Sequence, residues 1–324
     1  MEAGSLTRRL WAARLADPRV QRGIRIGAPV LYFALLLTFV IKDGIPVSRD
    51  RLLLWLVLGL LAFSVTNVRG WARSVVLEWL PLAVILWVYD ISRGQADGLL
   101  FSAHVQPQLD IDRAFGLGTA PTVLLQRHLW HGSLDLHWWD YAAWATYVSY
   151  FLATYVLAAA LWFFARDRFR RYVATVCLLA LMGFLTYALF PAVPPWMASS
   201  SGHLEYTVRS IGLISRHVPI FDFASLFERG TAYSNQVAAV PSLHAAYTLL
   251  VSITLWPIAN RWVRPLLVLY PIAMAFALVY TAEHYLADVL LGWIYTVAAV
   301  WAVAHIAAFL SRKRNEAGRR QPAS

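Results

Sequence analysis

Long apolar runs constrain this chain more than any other feature. In hydrocarbon, a stretch of about 17–25 apolar residues has one stable backbone solution, a helix that closes all of its own hydrogen bonds. By that rule about eight such segments follow one another, near residues 26–42, 51–67, 72–91, 140–165, 172–191, 240–258, 263–281 and 285–310. The last two are separated only by the Thr281-Ala282-Glu283 corner. Composition agrees. Of 324 residues, 59% are hydrophobic and 14% charged, against about 45–50% and about 25% in a soluble domain. The expected fold is all-α, a polytopic membrane helix bundle of an integral membrane protein in a bacterial-type cell membrane. One cysteine, Cys177, lies inside an apolar run, which excludes an internal disulfide and a cysteine metal cluster.

Arginines punctuate every second connection. Arg8, Arg9, Arg14, Arg19, Arg22 and Arg25 precede the first run, and Arg69 and Arg73 follow the second. Arg166, Arg168, Arg170 and Arg171 follow the fourth, Arg261 and Arg264 the sixth, and Arg312, Lys313, Arg314, Arg319 and Arg320 the last. The positive-inside rule turns these connections to the cytoplasm. Both termini are then cytoplasmic, while residues 43–50, 92–139, 192–239 and the 281–285 corner face outward. Residues 1–25 read as an uncleaved basic arm, because no small-residue cleavage pattern closely follows the apolar run. The net charge of +10 is gathered at helix ends, as loops facing anionic lipid require. No basic stripe with interleaved aromatics points to nucleic acid.

Two motifs at run edges carry chemistry: Pro241-Ser242-Leu243-His244, and Glu283-His284-Tyr285-Leu286-Ala287-Asp288. A helix puts His284 and Asp288 on one face, so the carboxylate can orient the imidazole. Pro241 and Ser242 sit where a helix begins: Pro suits a first turn and Ser caps it. The exposed N–H groups and positive dipole there favour an anion. The arginine topology places both motifs on the outer face, beneath the loops 92–139 and 192–239. An anion-binding helix start with one histidine, facing a second histidine held by a carboxylate, is suited to phosphoryl transfer through a phosphohistidine. One imidazole attacks, and the other protonates the leaving alkoxide.

Pro-Ser-x-His followed some forty residues later by His-x3-Asp resembles the second and third signatures of the type-2 phosphatidic acid phosphatase superfamily. Residues 87–94 (Trp-Val-Tyr-Asp-Ile-Ser-Arg-Gly), 121–126 (Pro-Thr-Val-Leu-Leu-Gln), 190–196 (Phe-Pro-Ala-Val-Pro-Pro-Trp) and 233–235 (Tyr-Ser-Asn) are similar to the branch that includes fungal inositol phosphorylceramide synthases. The resemblance covers roughly residues 72–310. It implies a six-helix catalytic core at 72–310 and two extra helices at 26–71; the arginine pattern adds a cytoplasmic arm at 1–25 and a cytoplasmic basic tail at 311–324. The resemblance also implies a nucleophile at His284, an orienting Asp288, a general acid at His244 and phosphate contacts from Ser242. The implied activity is metal-independent: transfer of a phospho-head group such as inositol phosphate from a lipid phosphate to a small alcohol, or its hydrolysis by water. No cofactor or metal is implied. The partners are the substrate and membrane lipids.

This chain departs from the family pattern where a cation should meet the phosphate. The third signature's opening Ser-Arg corresponds to Ala277-Leu278, and the first signature's Lys and Arg-Pro pair has no clear match. Arg93 is the first substitute, followed by Arg209 and Arg216 in the outer loop, with Asn235, Tyr280 and Glu283 as further substrate contacts. Ser149-Tyr150-Phe151 stands where the branch is expected to show Ser-His-Phe.

Other readings have weaker support. Asp110-Ile111-Asp112 in an outer loop suggests a lipid-linked glycosyltransferase, but such enzymes usually hold their acidic motif in the first outer loop, here the short 43–50. A non-catalytic transporter would need paired broken helices near the midplane. A serine protease built on Ser242 lacks flanking glycines. His128, His131 and His137, beside Trp130, Trp138 and Trp139, fit an interfacial segment better than a metal site, and His305 is isolated in the last helix.

Overall fold

The computed structural model describes residues 17–43, 49–65, 102–218 and 237–319, with scattered positions between 70 and 84. The expected third span, 72–91, lies largely outside these residues, as do Arg93, Asn235 and the motifs at 87–94 and 233–235. Among the described residues the chain is an all-α polytopic membrane bundle, with pairing between extended segments limited to two isolated bridges. Four helices are long and apolar enough to cross a membrane: Pro18–Lys42, Trp138–Phe164, Arg166–Leu189 and Leu286–Lys313. Shorter apolar helices cover Leu54–Ser64, Leu243–Ile258 and Arg264–Tyr280.

The chain divides into two compact units, Met1–Pro81 with Ile220–Asp222, and the remainder. In the first, α1 (Pro18–Asp43) and α2 (Arg49–Ser64) form an antiparallel pair. Its seam is aromatic: Phe39 and Tyr32 meet Trp55 at ring separations of 5.2 and 6.0 Å, and Tyr32 lies over Gly59. Helix α1 starts eight residues before the expected 26. Asp17 caps it by accepting the Arg19 N–H at 2.7 Å, and Pro18 supplies a first position pre-set for helix. Part of the basic arm is therefore helical.

The second unit places α9 (Leu243–Leu255) in contact with four other helices: α5 (Trp138–Phe164), α6 (Arg166–Leu189), α10 (Arg264–Tyr280) and α11 (Leu286–Arg319). This explains why α9 is buried on several faces, at Leu243, Ala246, Tyr247, Leu250 and Val251. Helix α9 begins at Leu243 with Ser242 as its cap, so Pro241 precedes the cap instead of occupying the first turn that the motif suggests. Helix α11 runs beyond the apolar stretch to Arg319, because Lys, Arg, Glu and Ala in that tail are good helix formers.

The described parts of the two long connections, 102–137 and 190–218, contain helices of their own. Residues 92–139 carry α3 (Gln106–Phe115) and α4 (Pro121–Leu129), each with Pro in its first turn, and 192–239 carry α7 (Pro195–Ser200) and α8 (Ser210–Ser215). Backbone pairing ties these segments together. The His104 N–H donates to Pro191 O and the Val193 N–H to His104 O, while the Ala192 N–H donates to Val237 O and the Ala239 N–H to Ala192 O. Gln126 on α4 accepts from the Val208 N–H and donates to the Val208 and Tyr280 carbonyls, all within 2.7–2.8 Å. The 208–209 segment is thereby fixed to the end of α10.

Candidate active site

The corner between α10 and α11 sets the position of His284. Helix α10 ends in a Schellman arrangement: the Glu283 N–H donates to Leu278 O at 3.0 Å and the Ala282 N–H to Val279 O at 3.2 Å. Ala282 takes the left-handed conformation, φ 63°, at the position where glycine is usual. The His284 N–H also donates to Leu278 O, at 3.2 Å. The imidazole's backbone is thus clamped to the last turn of α10 before α11 begins. Ala277 and Leu278, aligned with the superfamily's Ser-Arg, are both fully buried.

The hydrogen bonds of His284 fix its tautomer. Nδ1 lies 2.9 Å from the Ala239 carbonyl and 3.4 Å from Asp288 Oδ2. A carbonyl can only accept, so Nδ1 carries the proton and Nε2 holds the lone pair. The nearer partner is the carbonyl, which the bridge through Ala192 holds in place. Asp288 is the more distant one, and its Oδ2 also accepts the Tyr285 N–H at 2.9 Å. His284 is 6% exposed and Asp288 fully buried. The i,i+4 spacing brings the pair together, while a backbone oxygen without any sequence signal makes the shorter bond.

His244 arrives from α9. Ser242 is its N-cap: Oγ accepts the Ala245 N–H at 3.4 Å, and the Ser242 N–H donates to Asp288 O at 3.0 Å. That second bond registers α9 directly against α11. Ser242 is fully buried, so its hydroxyl serves the helix start. The His244 and His284 rings lie 5.5 Å apart, tilted by 60°. On its other sides His244 meets α5: Tyr147 stacks at 5.0 Å, Tyr150 lies at 4.2 Å and Phe151 at 6.2 Å. Gly292, one turn beyond Asp288, lets α11 approach, since a Cβ there would stand 2.4 Å from the Ser242 carbonyl oxygen.

The other expected site residues divide. Arg209 and Glu283 pair through two bonds, Nε to Oε1 at 2.7 Å and Nη2 to Oε2 at 3.0 Å. This pair sits immediately before His284, and the Arg209 guanidinium also lies 4.8 Å over Trp196. Burial opposes the charge on Arg209, but Glu283 and, more weakly, Tyr147 hold its pKa above the usual value. Tyr280 is fully buried, and its hydroxyl donates to Asp140, the carboxylate that also accepts the His137 N–H at the start of α5. Tyr280 thus ties α10 to α5. Arg216 is exposed at the end of α8.

Tyr147, the Ala239 carbonyl and Gly292 are members of this constellation that the motifs did not reveal. Asp112, in the acidic motif that suggests a glycosyltransferase, is fully buried and accepts the Leu286 and Ala287 N–H groups at the start of α11. Among the described residues, no group of three or more His, Cys, Asp or Glu side chains is placed to hold a metal ion.

Fold and site together define a class: an all-α polytopic membrane protein with two facing histidines at helix ends, one bonded to a buried aspartate and a backbone carbonyl. A family model described as the PAP2 superfamily matches residues 109–302, more than half of the chain, and this chain belongs to that superfamily. It is similar to the phosphoinositol dihydroceramide synthase of Bacteroides thetaiotaomicron, 33% identical over 135 residues, or 39% of this chain. The match spans 43% of that relative's length. No solved structure matches the chain.

Proposed function

We propose that the protein is a metal-independent lipid phosphotransferase working through a phosphohistidine at the extracytoplasmic face. The observation that carries this reading is the tautomer of His284, with Nδ1–H bound to acceptors and the Nε2 lone pair available, beside the ring of His244 at 5.5 Å. Nε2 attacks the phosphorus of a lipid phosphate, and the bond from phosphorus to the lipid oxygen breaks. His244 gives its proton to the departing alkoxide. In the second half, His244 takes the proton of an incoming hydroxyl, whose oxygen attacks the phosphorus. The P–N bond breaks and His284 is regenerated.

The start of α9 provides N–H groups and a positive dipole end for the phosphate. Arg209, held by Glu283, supplies the cation. Residues 72–310 act as the catalytic core and 26–71 as an added pair of helices. The positive-inside pattern supports cytoplasmic termini and an outward-facing site. The name of the Bacteroides relative, a phosphoinositol dihydroceramide synthase, supports an inositol phosphate as the group transferred and a ceramide-type alcohol as the acceptor. With water as acceptor, the same two histidines give hydrolysis.

The test is incubation of the purified protein with 32P-labelled phosphatidylinositol or phosphatidic acid in chelator, with and without a ceramide. The expected label on protein is acid-labile and base-stable and disappears in His284→Ala. Wild-type turnover by His284→Ala would overturn the mechanism, and loss of turnover in chelator would overturn metal independence. Labelled ceramide product distinguishes transfer from hydrolysis.

A further inference from the structure

The Asp110-Ile111-Asp112 motif has no part in the chemistry proposed above, yet Asp112 is fully buried. Its carboxylate reaches from α3 to the first turn of α11, where Oδ2 accepts the Leu286 N–H at 3.0 Å and Oδ1 the Ala287 N–H at 2.9 Å. These N–H groups lie in the first turn, where no intrahelical carbonyl serves them. The residue in the capping position, Tyr285, has no short side-chain acceptor to offer. Asp288 already gives Oδ2 to the Tyr285 N–H. Helix α11 therefore receives its cap from a residue 174 positions earlier in the chain.

We propose that Asp112 is a positioning residue for phosphoryl transfer: by holding two successive N–H groups it fixes the helix start on which His284 and Asp288 stand. The inference rests on the His284 reading above. Two further contacts make the hold directional. Leu109, on the same helix as Asp112, shares an apolar cluster with Tyr285, Val193 and Ala198, so α3 cannot slide freely under α11. The Asp288 carbonyl receives the Ser242 N–H, so the turn that Asp112 fixes also sets the register of α9 and His244.

The test is a mutant series in the phosphoryl-transfer assay. Asp112→Asn keeps the shape but turns an NH2 donor against an N–H. The expected result is a kcat lower by about ten- to a hundredfold, as misplacement of a reacting group produces, with KM within about twofold of wild type. Asp112→Ala loses at least as much; where it does not fold, Asp112→Asn decides alone. In a double-mutant cycle with Asp288→Asn the combined loss is smaller than the product of the single losses, because both act on one helix start. Wild-type kcat in Asp112→Asn, or fully multiplicative losses, would overturn the inference. Wild-type protein that transfers no phosphoryl group overturns the functional reading alone. The rate at which diethyl pyrocarbonate modifies His284 then decides: a changed rate in Asp112→Asn supports positioning, and an unchanged rate sinks it.

Discussion

Gly292→Ala strikes the tightest point in the site. A Cβ at 292 would stand 2.4 Å from the Ser242 carbonyl oxygen and 3.3 Å from its carbonyl carbon, whereas ordinary contact begins at 3.4 Å. The shortfall of 1.0 Å is against backbone, which no rotamer change can relieve. Either α9 or α11 must give way. Ser242 is two residues from His244, and Gly292 is one helical turn from Asp288, so the displacement passes into the geometry of the two histidines. A misplacement of about 1 Å at reacting groups costs about a hundredfold in rate. Overpacking of a helix contact costs about 1–3 kcal/mol of stability. The expected outcome is a folded protein with kcat down by about two orders of magnitude.

Gly183→Ala is the matched control. Its Cβ would also be close, but to Leu243 Cδ1 and Cδ2 at 3.1 Å, the far end of a flexible side chain. It should cost about 1 kcal/mol or less and leave kcat near wild type. The assay is turnover of labelled lipid phosphate in detergent micelles, with thermal unfolding followed on the same samples. Wild-type kcat in Gly292→Ala, or a larger loss in Gly183→Ala, would refute the reasoning.

Two further substitutions read the electrostatics. Arg209→Lys keeps the charge but gives up the two-pronged bond to Glu283, so kcat/KM should fall about tenfold or more; an unchanged kcat/KM would remove Arg209 from the site. Burial pushes the Asp112 carboxyl from 3.8 up to about 7, against the lowering effect of its two N–H bonds and with a further upward push from Asp288. The folded protein then holds a proton that the unfolded chain releases above 3.8. Stability from this source is complete below that value and is lost as pH rises through about 7. The ceiling is about 4 kcal/mol, at about 1.4 kcal/mol per pH unit. The thermal unfolding temperature of the wild type should fall between about pH 4 and 7 by more than that of Asp112→Asn, which cannot titrate, and equal slopes would contradict the burial argument.

The helices were legible because apolar length is a local property. Runs such as 140–165 and 172–191 had to span; α5 matches the first closely, while α6 begins six residues before the second and takes in Arg166, Arg168, Arg170 and Arg171. The Asp17-Pro18 start of α1 is also a local signal, but it lies outside the apolar run, among the arginines of the basic arm. The faces of these helices were less legible. In a soluble helix the buried side is the apolar side, but against lipid both sides are apolar. On α5, Val156 and Phe164 are exposed while Tyr147 and Trp144 are buried, and hydrophobicity alone does not sort them. Tyr147, Tyr150 and Phe151 lie at i, i+3 and i+4, the spacing of one helix face, yet only the fold shows that His244 is what they face.

The candidate site was legible in proportion to how local each contact is. His284 and Asp288 are four residues apart, and Ser242 caps its own helix, so periodicity and capping rules found them. The Ala239 carbonyl has no side chain to read, and Asp112 is 174 residues from the N–H it serves. The same distinction bears on the missing cation. In the superfamily pattern, a Ser-Arg pair on α10 itself would bring charge to the phosphate. Here Ala277 and Leu278 fill those positions and are packed at zero exposure, where an arginine would be desolvated without a partner. Under the proposed function the charge must come from another segment. Arg209 meets that need: Gln126 bonds both the residue before it and the end of α10, and Glu283 holds its guanidinium beside His284. A cation brought in by tertiary contacts leaves no local signature, and Glu283, expected from the sequence as a substrate contact, is the nearest thing to one.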